Sequence, residues 1–92
     1  MKIMKKLIDF YADWCGPCIA MKPTVEKVLV DYKGKVDFSE INVDSNQSEA
    51  QKYGIMSIPT FVILDENDKE IDRKMGAMAE TQFKNWLDSH LS

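Results

Sequence analysis

The chain has 92 residues, a net charge of −3, a hydrophobic fraction of 45% and a charged fraction of 29%. This length is that of one domain, residues 1–92, with a single modest core burying roughly 60% of the unfolded surface. The mild charge, with lysines scattered rather than gathered into a stripe with aromatics, excludes a nucleic-acid-binding role.

The basic start Met1-Lys2-Ile3-Met4-Lys5-Lys6 resembles the first part of a signal peptide, but Asp9 and Asp13 interrupt the next residues before an apolar segment can form. With neither a signal nor a membrane span, a cytoplasmic location is expected. Leu7-Ile8-Asp9-Phe10-Tyr11-Ala12 reads as a buried strand in which Asp9 is the odd residue. From Cys15 to Tyr32, apolar residues at Met21, Val25, Val28, Leu29 and Tyr32 recur at helical spacing. Pro23 lies inside that helix, cannot donate to the carbonyl of Ile19, and is expected to bend it there. The bend is either a tolerated kink or a device that tilts the first turn toward the surface.

Gly34 closes the helix, and residues 36–43 alternate apolar and polar side chains as a strand with one wet face. Asn46 with Glu49 three residues on predicts a capping box for a short helix ending at Tyr53-Gly54. Phe61-Val62-Ile63-Leu64 is apolar throughout, as in a strand buried on both faces. Asp65 to Lys69 forms a hairpin turn into a strand over residues 70–74, and Gly76 interrupts before the next segment. Phe83, Trp86, Leu87 and Leu91 then mark one face of a last helix. The order β-α-β-α-β-β-α predicts an α/β fold: a four-stranded mixed sheet whose first two strands are parallel and last two antiparallel, with helices on both faces.

Both cysteines sit in Trp14-Cys15-Gly16-Pro17-Cys18, between the first strand and the first helix. Residues three apart on a helical turn share a face, with Cβ atoms about 5–6 Å apart, and a disulfide needs Cα atoms roughly 4.4–6.8 Å apart. The pair can therefore bond without backbone movement. The unpaired N–H groups and positive dipole end of a helix start favour a thiolate. Cys15, expected to be exposed there, is the predicted nucleophile. Cys18, one turn deeper and expected to be more shielded, is the predicted resolving thiol that attacks the mixed disulfide and releases the product. A structural staple across so short a loop would constrain the unfolded chain little. A closed structural zinc site needs about four ligands, and the chain offers two Cys and His90, so neither a metal nor a cofactor is expected.

Cys15-Gly16-Pro17-Cys18 after Trp14, Asp9 six residues before the first cysteine, Pro23 in the helix, Ile58-Pro59-Thr60 before an apolar strand, and Gly76-Ala77 after the hairpin resemble, in order and spacing, the thioredoxin family. The resemblance runs from Leu7 to the C-terminus. It implies a three-layer fold of that family and an enzyme that reduces disulfides of protein substrates with electrons from a dedicated reductase. Gly16-Pro17 resembles the reducing branch. Asp9 matches the family's buried carboxylate beneath the second cysteine; such an acid among Ile8, Phe10 and Val62 is expected to have a raised pKa and to act as the base for Cys18. Glu40 stands where many relatives have lysine and others Glu, and would raise that pKa further.

Pro59 matches the family's cis-proline, leaving the backbone of Ile58 to pair with a substrate strand. Trp14, Gly16, Pro17, Ile58, Met75, Gly76 and Ala77 are the expected substrate-binding surface around Cys15, although Trp14 as core packing and Met75 as a gap-filler remain alternatives. Relatives of full length begin with a further strand and helix; without these, the second strand is an expected sheet edge kept monomeric by Asp37, Ser39 and Glu40. Ala79 is a weak cap for the last helix. Two other functions compete: a glutaredoxin-like or isomerase-like enzyme, marked by glutathione-linked turnover, and a non-enzymatic binding module, marked by none.

Overall fold

A computed structural model describes residues 4–91, so the first three residues of the basic N-terminal run, and Ser92, lie outside it. The elements in chain order are β1 (Lys6–Tyr11), α1 (Gly16–Leu29), a 3₁₀ turn (Val30–Tyr32), β2 (Asp37–Asn42), α2 (Gln47–Lys52), β3 (Thr60–Leu64), β4 (Glu70–Met75) and α3 (Glu80–Leu91). The strands form one mixed sheet in the order β2-β1-β3-β4, with β1 parallel to β2, β3 antiparallel to β1, and β4 antiparallel to β3. The expected architecture is thus present, with boundaries within a few residues of those read from periodicity.

The two central strands are largely apolar, Lys6 and Asp9 of β1 excepted, because both faces are covered. Side chains alternate across a strand, so Leu7, Phe61 and Ile63 join Met21, Val25 and Val28 of α1 and Phe83, Trp86 and Leu87 of α3 on one face. Ile8, Phe10, Val62 and Leu64 pack on the other, with Tyr53 and Ile55 beside them. The Phe61 and Phe83 rings meet at 5.2 Å between centroids in a tilted contact. Asp9, two residues beyond Leu7 on β1, faces the α1 side with it and borders one cavity with Cys18, and not among Ile8, Phe10 and Val62 as expected, because those side chains alternate to the other face. The edge strand β2 is half-buried to exposed along its length.

Pro17 lies at the start of α1, where a missing N–H costs nothing, and the helix continues through Pro23 to Leu29. The expected capping box of α2 is not made. The Asn46 side chain turns back to donate to the Asn42 carbonyl at 3.1 Å, because Asn42 organises this loop, its Oδ1 accepting from the N–H of Asp44 at 2.9 Å. At α3 the cap runs the other way: Gln82 Oε1 reaches back to accept the Ala79 N–H at 3.1 Å, so the residue three positions on serves where Ala79 has no side-chain acceptor. Asp72 ties β4 to α3, accepting from Trp86 Nε1 at 3.0 Å and lying 2.9 Å from His90 Nε2.

Candidate active site

Cys15 is the N-cap of α1. Its backbone is extended (φ −82°, ψ 106°), and its Sγ accepts the N–H of Cys18 at 3.2 Å. The turn before it is held by the Cys15 N–H donating to the Ala12 carbonyl at 3.2 Å. No acidic side chain occupies the first helical turn, so nothing on that turn cancels the positive helix end at the sulfur. The two cysteines are bonded, with Cα atoms 5.2 Å apart, inside the range a disulfide accommodates.

Exposure is the reverse of the sequence expectation. Cys15 is only 4% exposed, whereas Cys18 is intermediate. The cause is tertiary: the Cys15 sulfur lies beside the loop after α2, 3.8 Å from the carbonyl oxygen of Ile58, while Cys18 borders an open cavity on the β2 side of α1. The Ile58–Pro59 peptide bond is cis. Pro59 is buried, its carbonyl accepts the Gly76 N–H at 2.8 Å, and Thr60 Oγ1 donates to the Ser57 carbonyl at 2.7 Å. This loop is therefore held against the end of β4. Gly76 has φ +92°, a conformation costly for other residues, and the space where a Cβ would point is open.

Trp14 is 71% exposed and its indole is fixed by Nε1 donating to Asp44 Oδ2 at 2.8 Å. It is thus a surface anchor, not part of the core. With Val43, Ile55, Met56, Ser57 and Ile58 it lines an apolar hollow of about 360 Å³. Ala77 belongs to a different hollow, beside Met78 and Trp86, and Met75 projects into solvent. Gly16 and Pro17 are exposed beside the disulfide. Sequence reasoning missed Asp44 and Met56. Asp44 carries no signal within its polar loop, whereas Met56, a large apolar residue next to Ser57-Ile58-Pro59 and 95% exposed, could have been singled out.

Asp9 is 8% exposed, and its Oδ1 has no hydrogen-bond partner among the described residues. Its pKa is pushed up to about 7: burial is the main cause, Glu40, its register partner on β2, adds to it, and Lys22 on α1 opposes both. Asp9, Cys18, Lys22 and Glu40 share one cavity of about 100 Å³. A buried acid and a sulfur thus border one hollow. Among the described residues no group of three His, Cys, Asp or Glu could hold a metal ion, and no helix is long and apolar enough to cross a membrane.

A pair of sulfurs held where they can join or part, one at a helix tip and the other bordering one cavity with an acid of near-neutral pKa, trades two electrons with a second disulfide. This arrangement defines a thiol–disulfide oxidoreductase. The family model described as Thioredoxin matches residues 2–89. Thioredoxin 2 of Chlorobaculum tepidum is 41% identical over 85 residues, covering 92% of this chain and 77% of that protein. A thioredoxin of Staphylococcus aureus is 40% identical over 86 residues, covering 94% and 82%. The solved structure of a mutant thioredoxin from Halobacterium salinarum NRC-1 superposes with a TM-score of 0.85 at 33% identity, over 96% of this chain and 75% of that one. The chain belongs to the thioredoxin family.

Proposed function

We propose that this protein reduces disulfides of protein substrates, with Cys15 as the attacking thiolate, Cys18 as the resolving thiol and Asp9 as the base for Cys18. The observation that carries the assignment is the N-cap contact: the donor that reaches the Cys15 sulfur at 3.2 Å is a helix N-terminal N–H, which favours an anion there. Cys15 thiolate attacks one sulfur of the substrate disulfide; that bond breaks, and the departing sulfur leaves with the electron pair and takes a proton from solvent. Cys18 then gives its proton to Asp9 and attacks the Cys15 sulfur. The second substrate sulfur leaves with its electron pair and takes a proton from solvent, and the Cys15–Cys18 bond forms while Asp9 releases the proton it accepted. The substrate has gained two electrons and two protons, and a reductase-type donor restores the dithiol.

A pKa of about 7 leaves Asp9 ionised often enough to accept a proton at neutral pH and weak enough to return it. Trp14, Gly16, Pro17 and Ile58 form the rim on which an extended substrate segment is laid, pairing with the backbone beside Pro59. Met75, Gly76 and Ala77 receive its other end, where the open space over Gly76 admits a partner backbone. The site operates in the cytoplasm. The expected test result is turnover of a protein disulfide such as that of insulin in dithiothreitol, supported by a thioredoxin-type reductase and not by glutathione. Glutathione dependence would instead mark a glutaredoxin-like enzyme, and no turnover a binding module.

The protein acts as a monomer. Asp37 and Glu40 stand on the edge strand β2, so pairing two copies there would bring carboxylates together. Light scattering is expected to give the mass of one chain, 10.6 kDa, at low and high protein concentration; a dimer lost on Ser39→Pro would overturn this.

A further inference from the structure

The resolving step needs Asp9 to be ionised when Cys18 must lose its proton, yet its immediate surroundings favour the neutral acid. Asp9 is buried, and its partner in the β1–β2 register is Glu40. Side chains opposite one another on neighbouring strands interact directly, and like charges in that position repel. The remaining titratable groups bordering the cavity are Tyr11 on the same strand, Asp13 in the loop after it, and Cys18 and Lys22 on α1; β3 contributes Phe61 opposite Asp9. Lys22 is the one cation among them. It follows Cys18 by four residues in an unbroken helix, so both project from the same face, one turn apart.

We propose that Lys22 is a positioning residue for the second thiol exchange, its ammonium offsetting Glu40 across the cavity so that the Asp9 carboxylate can take the Cys18 proton. This role rests on Asp9 acting as the base. The cavity gives it a physical basis: an acid, the sulfur it serves, a cation from the helix and an anion from the strand border one hollow open to solvent. The electrostatic effect of Lys22 on Asp9 has the same sign, lowering its proton affinity where burial and Glu40 raise it. Lys22 and Glu40 are both exposed, so their influence on Asp9 is screened by added salt.

The test follows Asp9 by carbon NMR across pH in the oxidised protein, and product-thiol release by quenched flow in the reduced protein with a peptide disulfide. Lys22→Met is expected to move both midpoints up by roughly one unit or less at low salt. Lys22→Arg is expected to leave them in place, and Glu40→Gln to move both down. The differences should shrink at high ionic strength, while formation of the mixed disulfide by the Cys18→Ser protein stays unaffected by Lys22→Met. Unchanged midpoints in Lys22→Met, or equal shifts in Met and Arg variants, would overturn the role of Lys22 while leaving Asp9 as the base. An Asp9→Asn protein that keeps the wild-type pH dependence of product release would instead overturn the base assignment itself, and the positioning role with it.

Discussion

Cys15→Ser is expected to reduce turnover of a protein disulfide by more than about a thousandfold and to form no mixed disulfide, because a serine hydroxyl at the helix tip is far weaker as a nucleophile than a thiolate. Cys18→Ser is expected to lose multiple turnover to a similar degree for a different reason. Cys15 still attacks, but no thiol remains on the next turn to displace the product, so substrate accumulates on Cys15. Mass spectrometry after non-reducing separation distinguishes the two outcomes. The experiment is sharp because exposure and electrostatics point in opposite directions: Cys18 is the more accessible residue, whereas the sulfur of Cys15 accepts the helix N–H. Trapping by Cys15→Ser and not by Cys18→Ser would mean that accessibility decides and that the two roles are exchanged.

Asp9→Asn is expected to stabilise the protein increasingly from about pH 4 to neutral pH and beyond, and to slow its second chemical step. Its carboxyl titrates near 7 in the folded chain, against 3.8 for the ordinary group. Between these values the folded state binds the extra proton, so stability is greatest below about pH 4 and falls as pH rises toward 7. The whole difference corresponds to about 4 kcal/mol, lost by pH 8. Asparagine carries no charge to desolvate but still places polar atoms where Oδ1 has no partner, so the expected gain at pH 8 is about 2–4 kcal/mol. Denaturant titrations at pH 4 and pH 8 check this. The variant should differ little from wild type at pH 4 and exceed it clearly at pH 8. An equal difference at both values would mean that Asp9 is not held neutral by its surroundings. Stability given up for the proposed proton acceptor would follow a recurrent pattern in enzymes.

The proposed docking surface also has a rigid anchor. Trp14 lies largely in solvent, yet its bond to Asp44 fixes the indole, so in the proposed docking a substrate segment would meet a flat apolar plate whose ordering cost is already met by the fold. Met56, nearly fully exposed across the same hollow, supplies a flexible thioether wall that can adapt to differently shaped partners. One rigid side and one adaptable side fit an enzyme that must accept more than one disulfide.

What the amino-acid order settled alone is what depends on near neighbours along the chain. The spacing of Cys15 and Cys18 at a helix start dictated a bondable pair at an N-cap. Unbroken apolar character in Phe61 to Leu64 dictated a strand covered on both faces, alternation in residues 36–43 a strand with a wet side, and Phe83, Trp86 and Leu87 the buried stripe of α3. Elements distant in sequence decided the rest. Whether Cys15 or Cys18 sees solvent depends on how the loop at Ile58–Pro59 lies against α1, and the proton affinity of Asp9 first on its burial under α1, then on strand register with Glu40 and helix placement of Lys22. The tether of Trp14 depends on where the loop after β2 carries Asp44. Asn46 gave up its expected cap because Asn42 had already organised that loop. Periodicity reports which side of an element faces inward, but the energies of burial and charge are set by what another element brings opposite, and only the packed chain contains that information.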